Sequence, residues 1–288
     1  MVLKRAQYKR YTRSTAGSIF YFLILIFAGI FMVFPMVYCL ITSIKPLDEL
    51  LIFPPKFFVS RPTLQNYKAL PALLSNLQIP ISRYIFNSLF ITLISTFLTI
   101  VAGSLAAFTF SKSKVKGVKV LFTIVQVMLL YSTVTLGVPQ YLIFSKFKMI
   151  DTYWIYILPA IPSAVNCFLL KQFMDVSVPD TLLEAASIDG AGVMKTYWKI
   201  VMPVMKPAWM TVLLFSFQGM WSTVPQGTIF SEQLKTLPYV MSSVSAGGIA
   251  RSGSSMAITV LLMLPPILVF LITQSNVMET MSSSGIKE

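Results

Sequence analysis

EAASIDGAGVMKTYWKIVMPVMKP, residues 184–207, is the one stretch of this very apolar chain that burial in lipid does not explain. It lies between two hydrophobic runs. Its small residues, carboxylates, glycines and two prolines four apart predict a short helix, a joint and a second helix at the water surface. Ser177-x-x-Asp180 and Thr181-x-x-Glu184 both have capping-box spacing, so the first helix begins within a turn of Pro179. Gly190 is placed to end it, and Gly190-Ala191-Gly192 permits a left-handed residue and a sharp change of direction. Beyond the joint, Val193, Tyr197, Ile200 and Val201 share one helical face and Lys195 and Lys199 another, which suits the membrane interface. Ala185 and Ala186 keep the first helix low, so that a partner's cleft can close round it, while Glu184 and Asp189 offer charge-assisted contacts. From periodicity alone, an ordinary amphipathic connector has the same pattern.

Outward from this stretch, 56% hydrophobic and 11% charged residues, with a mean hydropathy of +0.75, mark an integral membrane protein. The net charge of +13 does not indicate nucleic acid, because the lysines and arginines cluster in short segments beside apolar runs, as membrane orientation requires. Cys39 and Cys167 lie in or beside apolar runs without metal-ligand spacing, and histidine is absent, which removes imidazole-based triads and zinc centres.

Six runs approach the roughly 20 residues of helix that cross a bilayer: 18–41, 84–110, 120–144, 153–170, 208–224 and 256–274. The expected fold is therefore all-α, a single transmembrane domain over 1–288, with a surface loop at 175–207 and a polar tail at 275–288. The spans exclude charged residues except at their margins, which fits the cost of about 2.5–3.5 kcal/mol for a mid-bilayer charge and disfavours a proton-coupled carrier. Lys4, Arg5, Lys9, Arg10 and Arg13 before the first span, and Lys112, Lys114, Lys116 and Lys119 after the second, belong in the cytoplasm. Six spans then put both termini and the 184–207 stretch on that side. The first run is too long for a cleaved leader's apolar core.

The proline-rich loop at 42–83 predicts a stiff, irregular cover, and the glycine- and serine-rich loop at 225–255 a pliable one. Small residues in Ala102-Gly103-Ser104-Leu105-Ala106-Ala107 provide a face for close helix packing, more readily within the chain than between subunits.

Glu184-Ala185-Ala186-Ser187-Ile188-Asp189-Gly190-Ala191, followed by Ile200, Pro203 and Pro207, resembles the cytoplasmic signature of importer-type ABC permeases. The likeness extends through Thr42-Ser43-Ile44-Lys45-Pro46, Pro62-Thr63-Leu64-Gln65-Asn66-Tyr67, Asn87-Ser88-Leu89 and Asp151-Thr152-Tyr153, in the pattern of the maltose-type sugar branch. The resemblance implies a half-channel in a bacterial cell membrane that pairs with a second, homologous permease, two ATP-binding subunits and an extracytoplasmic substrate-binding protein. It implies that Glu184, Ala185, Ala186, Asp189, Gly190 and Ala191 dock on an ATPase. It also implies that the loop carrying Gln226, Gly247, Gly248 and Arg251 meets the binding protein. No cofactor is expected in this chain, which has no G-x-x-x-x-G-K-[ST] phosphate loop.

The pathway is expected beside the fifth span, where Gln218, Trp221 and Ser222 combine an aromatic plate with hydrogen-bonding groups. Ser222 stands where relatives often carry asparagine. The solute is read as a sugar or oligosaccharide, with a glycerol-phosphate or another polar solute as the alternative. An ATP-independent carrier is the weaker alternative.

Overall fold

The computed structural model describes residues 15–74, 79–131, 135–224 and 227–285. Among these every regular element is helical. The chain opens with α1 (Thr15–Ser43), apolar on all sides and exposed along nearly its whole length, so that lipid or a neighbouring helix is the environment it suits.

The following loop is more regular than its prolines predict. It forms α2 (Leu47–Leu50) and α3 (Gln65–Leu74), the latter with Pro71 inside. Asn66 Nδ2 donates to the carbonyls of Ser43 (2.8 Å) and Lys45 (2.7 Å), and buried Glu49 accepts from the backbone N–H groups of Ser60 and Arg61. Side-chain staples of this kind supply the order that local propensity does not.

α4 (Ile81–Lys112) is the central rod, packed between later helices α8 (Ala164–Ser177) and α12 (Lys206–Trp221). Its small-residue face packs inside the chain: Gly103, Ser104 and Ala107 are buried, and a Cβ on Gly103 would lie 3.4 Å from Leu170 Cδ1.

The run expected to cross at 120–144 is not one helix. It forms α5 (Val118–Met128) and α6 (Gly137–Lys146), because the backbone tightens into three-residue hydrogen bonds at Leu129, Leu130 and Tyr131 and Pro139 falls in the first turn of α6. α7 (Trp154–Ala160) and α8 make a second interrupted run, broken at Pro162. The freed Ala160 carbonyl accepts from Thr99 Oγ1 at 2.9 Å, and Ser163 caps α8 through the Asn166 N–H.

α9 (Asp180–Ile188), α10 (Val193–Thr196), a π-helical turn at Tyr197–Val201 and α11 (Met202–Val204) precede α12, which bends away by 79°. Pro207 sits in the first turn of α12, and Trp209 Nε1 covers the Met202 carbonyl left at the bend (3.1 Å). α13 (Leu237–Ser245) and the long α14 (Ser252–Gly285) complete the chain.

Four of these helical stretches are long and apolar enough to cross a membrane, and the bent pair around Met205 makes up to five among the described residues. The split of α5 from α6 is why the expected six are not reproduced as six helices. One apolar cluster (Tyr84, Phe217, Trp221, Leu237, Ile258) fills the end nearest the start of α4, and another (Leu170, Met174, Val201, Met205, Val212) the end nearest α9. Both cysteines are free.

Candidate docking hairpin and pathway residues

α9 begins where Pro179 places it, with Asp180 in the first turn to complement the positive end of the helix dipole. The side-chain caps anticipated from spacing are not made. Its end is closed by a Schellman arrangement: Ala191 N–H donates to Ala186 O (2.9 Å), Gly190 N–H donates to Ser187 O (3.0 Å), and Gly190 has φ +74°.

The hairpin has two distinct faces. Leu182, Leu183 and Ala186 pack inward on the core, whereas Glu184, Ala185, Asp189 and Gly190 are exposed and Ala191 is half-buried. Ile188, Val193 and Met194 are 86%, 69% and 58% exposed, an apolar margin around the acidic groups. Val193, the first residue of α10, stays exposed while Tyr197 and Val201 are fully buried, so the anticipated common face begins only at Tyr197.

Several contacts that spacing did not reveal tie this hairpin and the end of α8 to α4. Lys112 Nζ lies 2.9 Å from Asp180 Oδ1, and its hydrogen bond and charge hold that carboxyl below its ordinary pKa. Ser111 donates to Asp175, which also receives Lys171 Nζ at 2.6 Å. Deeper in, the Ser104 and Tyr197 hydroxyls are 2.6 Å apart and buried. A cavity of about 520 Å³ opens between the end of α4 and the hairpin, lined in part by Phe108, Lys112, Ala191 and Met194.

The pathway candidates divide. Gln218 and Ser222 are exposed, but Trp221 is turned into the core, stacked on Phe217 with ring centroids 5.9 Å apart. Its indole N–H donates to Leu262 O at 2.8 Å. That carbonyl's normal helical partner would be the N–H of residue 266, which is proline, so Trp221 restores a bond that Pro266 removes.

Gly247, Gly248 and Arg251 form one exposed turn: Gly248 has φ +70°, Arg251 N–H donates to Gly248 O at 3.1 Å, and the Arg251 side chain lies over Gly247 where a Cβ would stand. Gln226 falls outside the described residues.

Membrane-length helices, broken spans stitched by side chains and an exposed capped hairpin define an all-α, multi-pass membrane protein. The chain belongs to the family described as binding-protein-dependent transport system inner membrane component, whose model matches residues 99–283 and so includes the whole hairpin.

Similar proteins include the melibiose/raffinose/stachyose import permease protein MelC of Bacillus subtilis (29% identity, covering 70% of this chain and 74% of the relative). The sulfoquinovosyl glycerol transport system permease protein SmoH of Agrobacterium fabrum is 30% identical, covering 71% of each. The galactooligosaccharides transport system permease protein GanQ of Bacillus subtilis is 26% identical over 97% of both.

The fold matches a chain in the crystal structure of a bacterial ABC transporter involved in the import of the acidic polysaccharide alginate. The TM-score is 0.77 at 19% identity, covering 92% of this chain and 99% of the other. The chain is thus a membrane permease subunit of an ABC importer, a transport component and not an enzyme.

Proposed function

We propose that this subunit forms half of a sugar or oligosaccharide channel that works by alternating access, driven by two partner ATPases and fed by an extracytoplasmic binding protein. The observation that carries the reading is the hairpin: its outer face, Glu184, Ala185, Asp189 and Gly190, is free, while its inner face and its ion pair to Lys112 belong to the permease core. A gripped hairpin of this construction transmits displacement into α4 and α12. Swinging a two-state protein from about 1:99 to 99:1 takes roughly 5.5 kcal/mol of differential binding, so the hook has to be stiff.

In this reading the hairpin and both termini are cytoplasmic. Gln218 and Ser222 face the pathway beside the second permease, with Trp221 supporting them from behind. Gly247, Gly248 and Arg251 meet the binding protein, together with Gln226. Carbohydrate as the solute is supported by the relatives, whose names specify melibiose, raffinose, galactooligosaccharides and a sulfoquinovosyl glycerol.

The test is reconstitution of the four-part complex in proteoliposomes with labelled oligosaccharides and, as the competing solute, a glycerol-phosphate. Uptake of an oligosaccharide that requires both ATP and the binding protein is expected. Uptake without ATP, or purification of the chain only as a homo-oligomer, overturns the reading.

A further inference from the structure

The end of α4 away from the hairpin carries a second set of contacts, centred on the Asn87-Ser88-Leu89 motif. The helix has 32 residues, which at about 1.5 Å rise each puts the two ends about 48 Å apart, beyond the roughly 30 Å hydrocarbon thickness. Asn87 is fully buried. Its Nδ2 donates to Gln233 O (2.8 Å) and Lys235 O (2.9 Å), and its Oδ1 accepts from the Tyr153 hydroxyl (2.8 Å). Ser88 Oγ accepts the N–H of Leu237 (2.8 Å), one of the otherwise unpaired donors at the start of α13.

The segment that carries these partners, residues 228–237, is held at further points. Tyr84 donates to Glu232 (2.9 Å), and Asp151 accepts from the backbone N–H groups of Phe230 (3.0 Å) and Ser231 (2.8 Å). Residues 228–237, expected to be pliable from their neighbourhood's composition, are thus fastened along their length to α4 and to the start of α7. Their outward side stays free: Phe230 is 65% exposed, and Ser231 and Gln233 are exposed as well.

We propose that Asn87 is a positioning residue which, with Tyr153, sets segment 228–237 as a rigid platform for the extracytoplasmic binding protein. The proposal rests on the importer reading above. Asn87 is inaccessible from the surface, so it acts only through the groups it holds, the two carbonyls and the Tyr153 hydroxyl. Both of its donors go to one short turn, Glu232–Leu234 and its flanks, so losing the amide loosens that turn, which Tyr84 and Arg83 still hold, while leaving the helix intact.

The experiment titrates purified binding protein against the ATPase rate of the whole reconstituted complex, for wild type, Asn87→Leu and Tyr153→Phe. Asn87→Leu keeps the four heavy atoms and the branch at Cγ, and removes the amide's hydrogen-bonding groups. Its half-stimulating binding-protein concentration is expected to rise at least about fivefold, the lower range of measured coupling between sites, with the basal ATPase rate unchanged. Tyr153→Phe shifts the same quantity in the same direction by less, and decides alone if Asn87→Leu does not assemble. Half-stimulation at the wild-type concentration in the assembled variants overturns the proposal, as does a fall confined to the maximal rate. A wild-type complex that the binding protein fails to stimulate sinks the importer reading itself, a failure seen before any variant is compared.

Discussion

Lys112 Nζ stands 2.9 Å from Asp180 Oδ1, joining the last turn of α4 to the first turn of α9. Each charge also sits at the helix end whose dipole favours it. The lysine side chain is only 10% exposed while the aspartate is 71% exposed, so the contact orients more than it stabilises.

The pH dependence of this contact follows from the lowered pKa of Asp180. A carboxylate depressed in the folded state contributes stability that is present above its unfolded pKa and disappears as pH falls through the folded one. The melting-temperature difference between wild type and Asp180→Asn should therefore be flat from about pH 8 to pH 5 and shrink only in stronger acid. A difference that grows as the solution is acidified contradicts the assignment.

Gly190→Val isolates backbone strain, because a Cβ at Gly190 meets nothing within 4 Å and the residue has φ +74°. The expected cost is about 1–2 kcal/mol, concentrated in the hairpin, with reduced ATPase-driven uptake. Gly192 has φ −67° and open space around it, so Gly192→Val, the same side chain at an ordinary φ, is the matched control and should cost much less. Thermal melts and uptake assays of the two variants decide the point; equal behaviour removes the left-handed cap from the account.

Trp221→Phe keeps the stacked ring on Phe217 but strands the Leu262 carbonyl. A loss of about 1–3 kcal/mol is expected for a buried unpaired acceptor. Pro266→Ala supplies the missing backbone donor, so the double variant should recover most of that loss, and a double-mutant cycle on detergent-solubilised protein measures the coupling. Strict additivity would mean that Trp221 does not act through that carbonyl.

How much of this was legible follows from how local each determinant is. The ends of α9 were readable because Pro179 and Gly190 act on their immediate neighbours. The small-residue face of α4 was readable because a close approach needs small side chains whatever they meet; Gly103 meets Leu170 and Ser104 meets Tyr197. The break between α5 and α6 was not, since the residues around Leu129 and Leu130 are as apolar as the helices they separate and hydropathy averages across the turn. Trp221 was misplaced for a different reason: its partner is set by a proline in another helix. The Asn87 contacts join residues 66, 146 and 148 positions apart, a juxtaposition that no local pattern contains.

The two adjacent alanines of the hairpin make the sharpest test of its faces. Ala185 is exposed and Ala186 is 4% exposed, packed on the permease's own core. Enlarging either one changes the same short helix by the same volume, so helix propensity and expression context are nearly matched. Ala186→Trp overpacks the interior and should destabilise the permease by about 1–3 kcal/mol. Ala185→Trp has open space, so the melting temperature should stay near wild type. The indole then projects where an ATPase cleft would have to close, and ATPase recovered on affinity purification should fall at least about tenfold, equivalent to about 1.4 kcal/mol of lost binding. The crossed pattern, stability lost at 186 and association lost at 185, is what a hook held from inside and gripped from outside requires. Undiminished ATPase recovery with Ala185→Trp would move the docking surface elsewhere on the molecule.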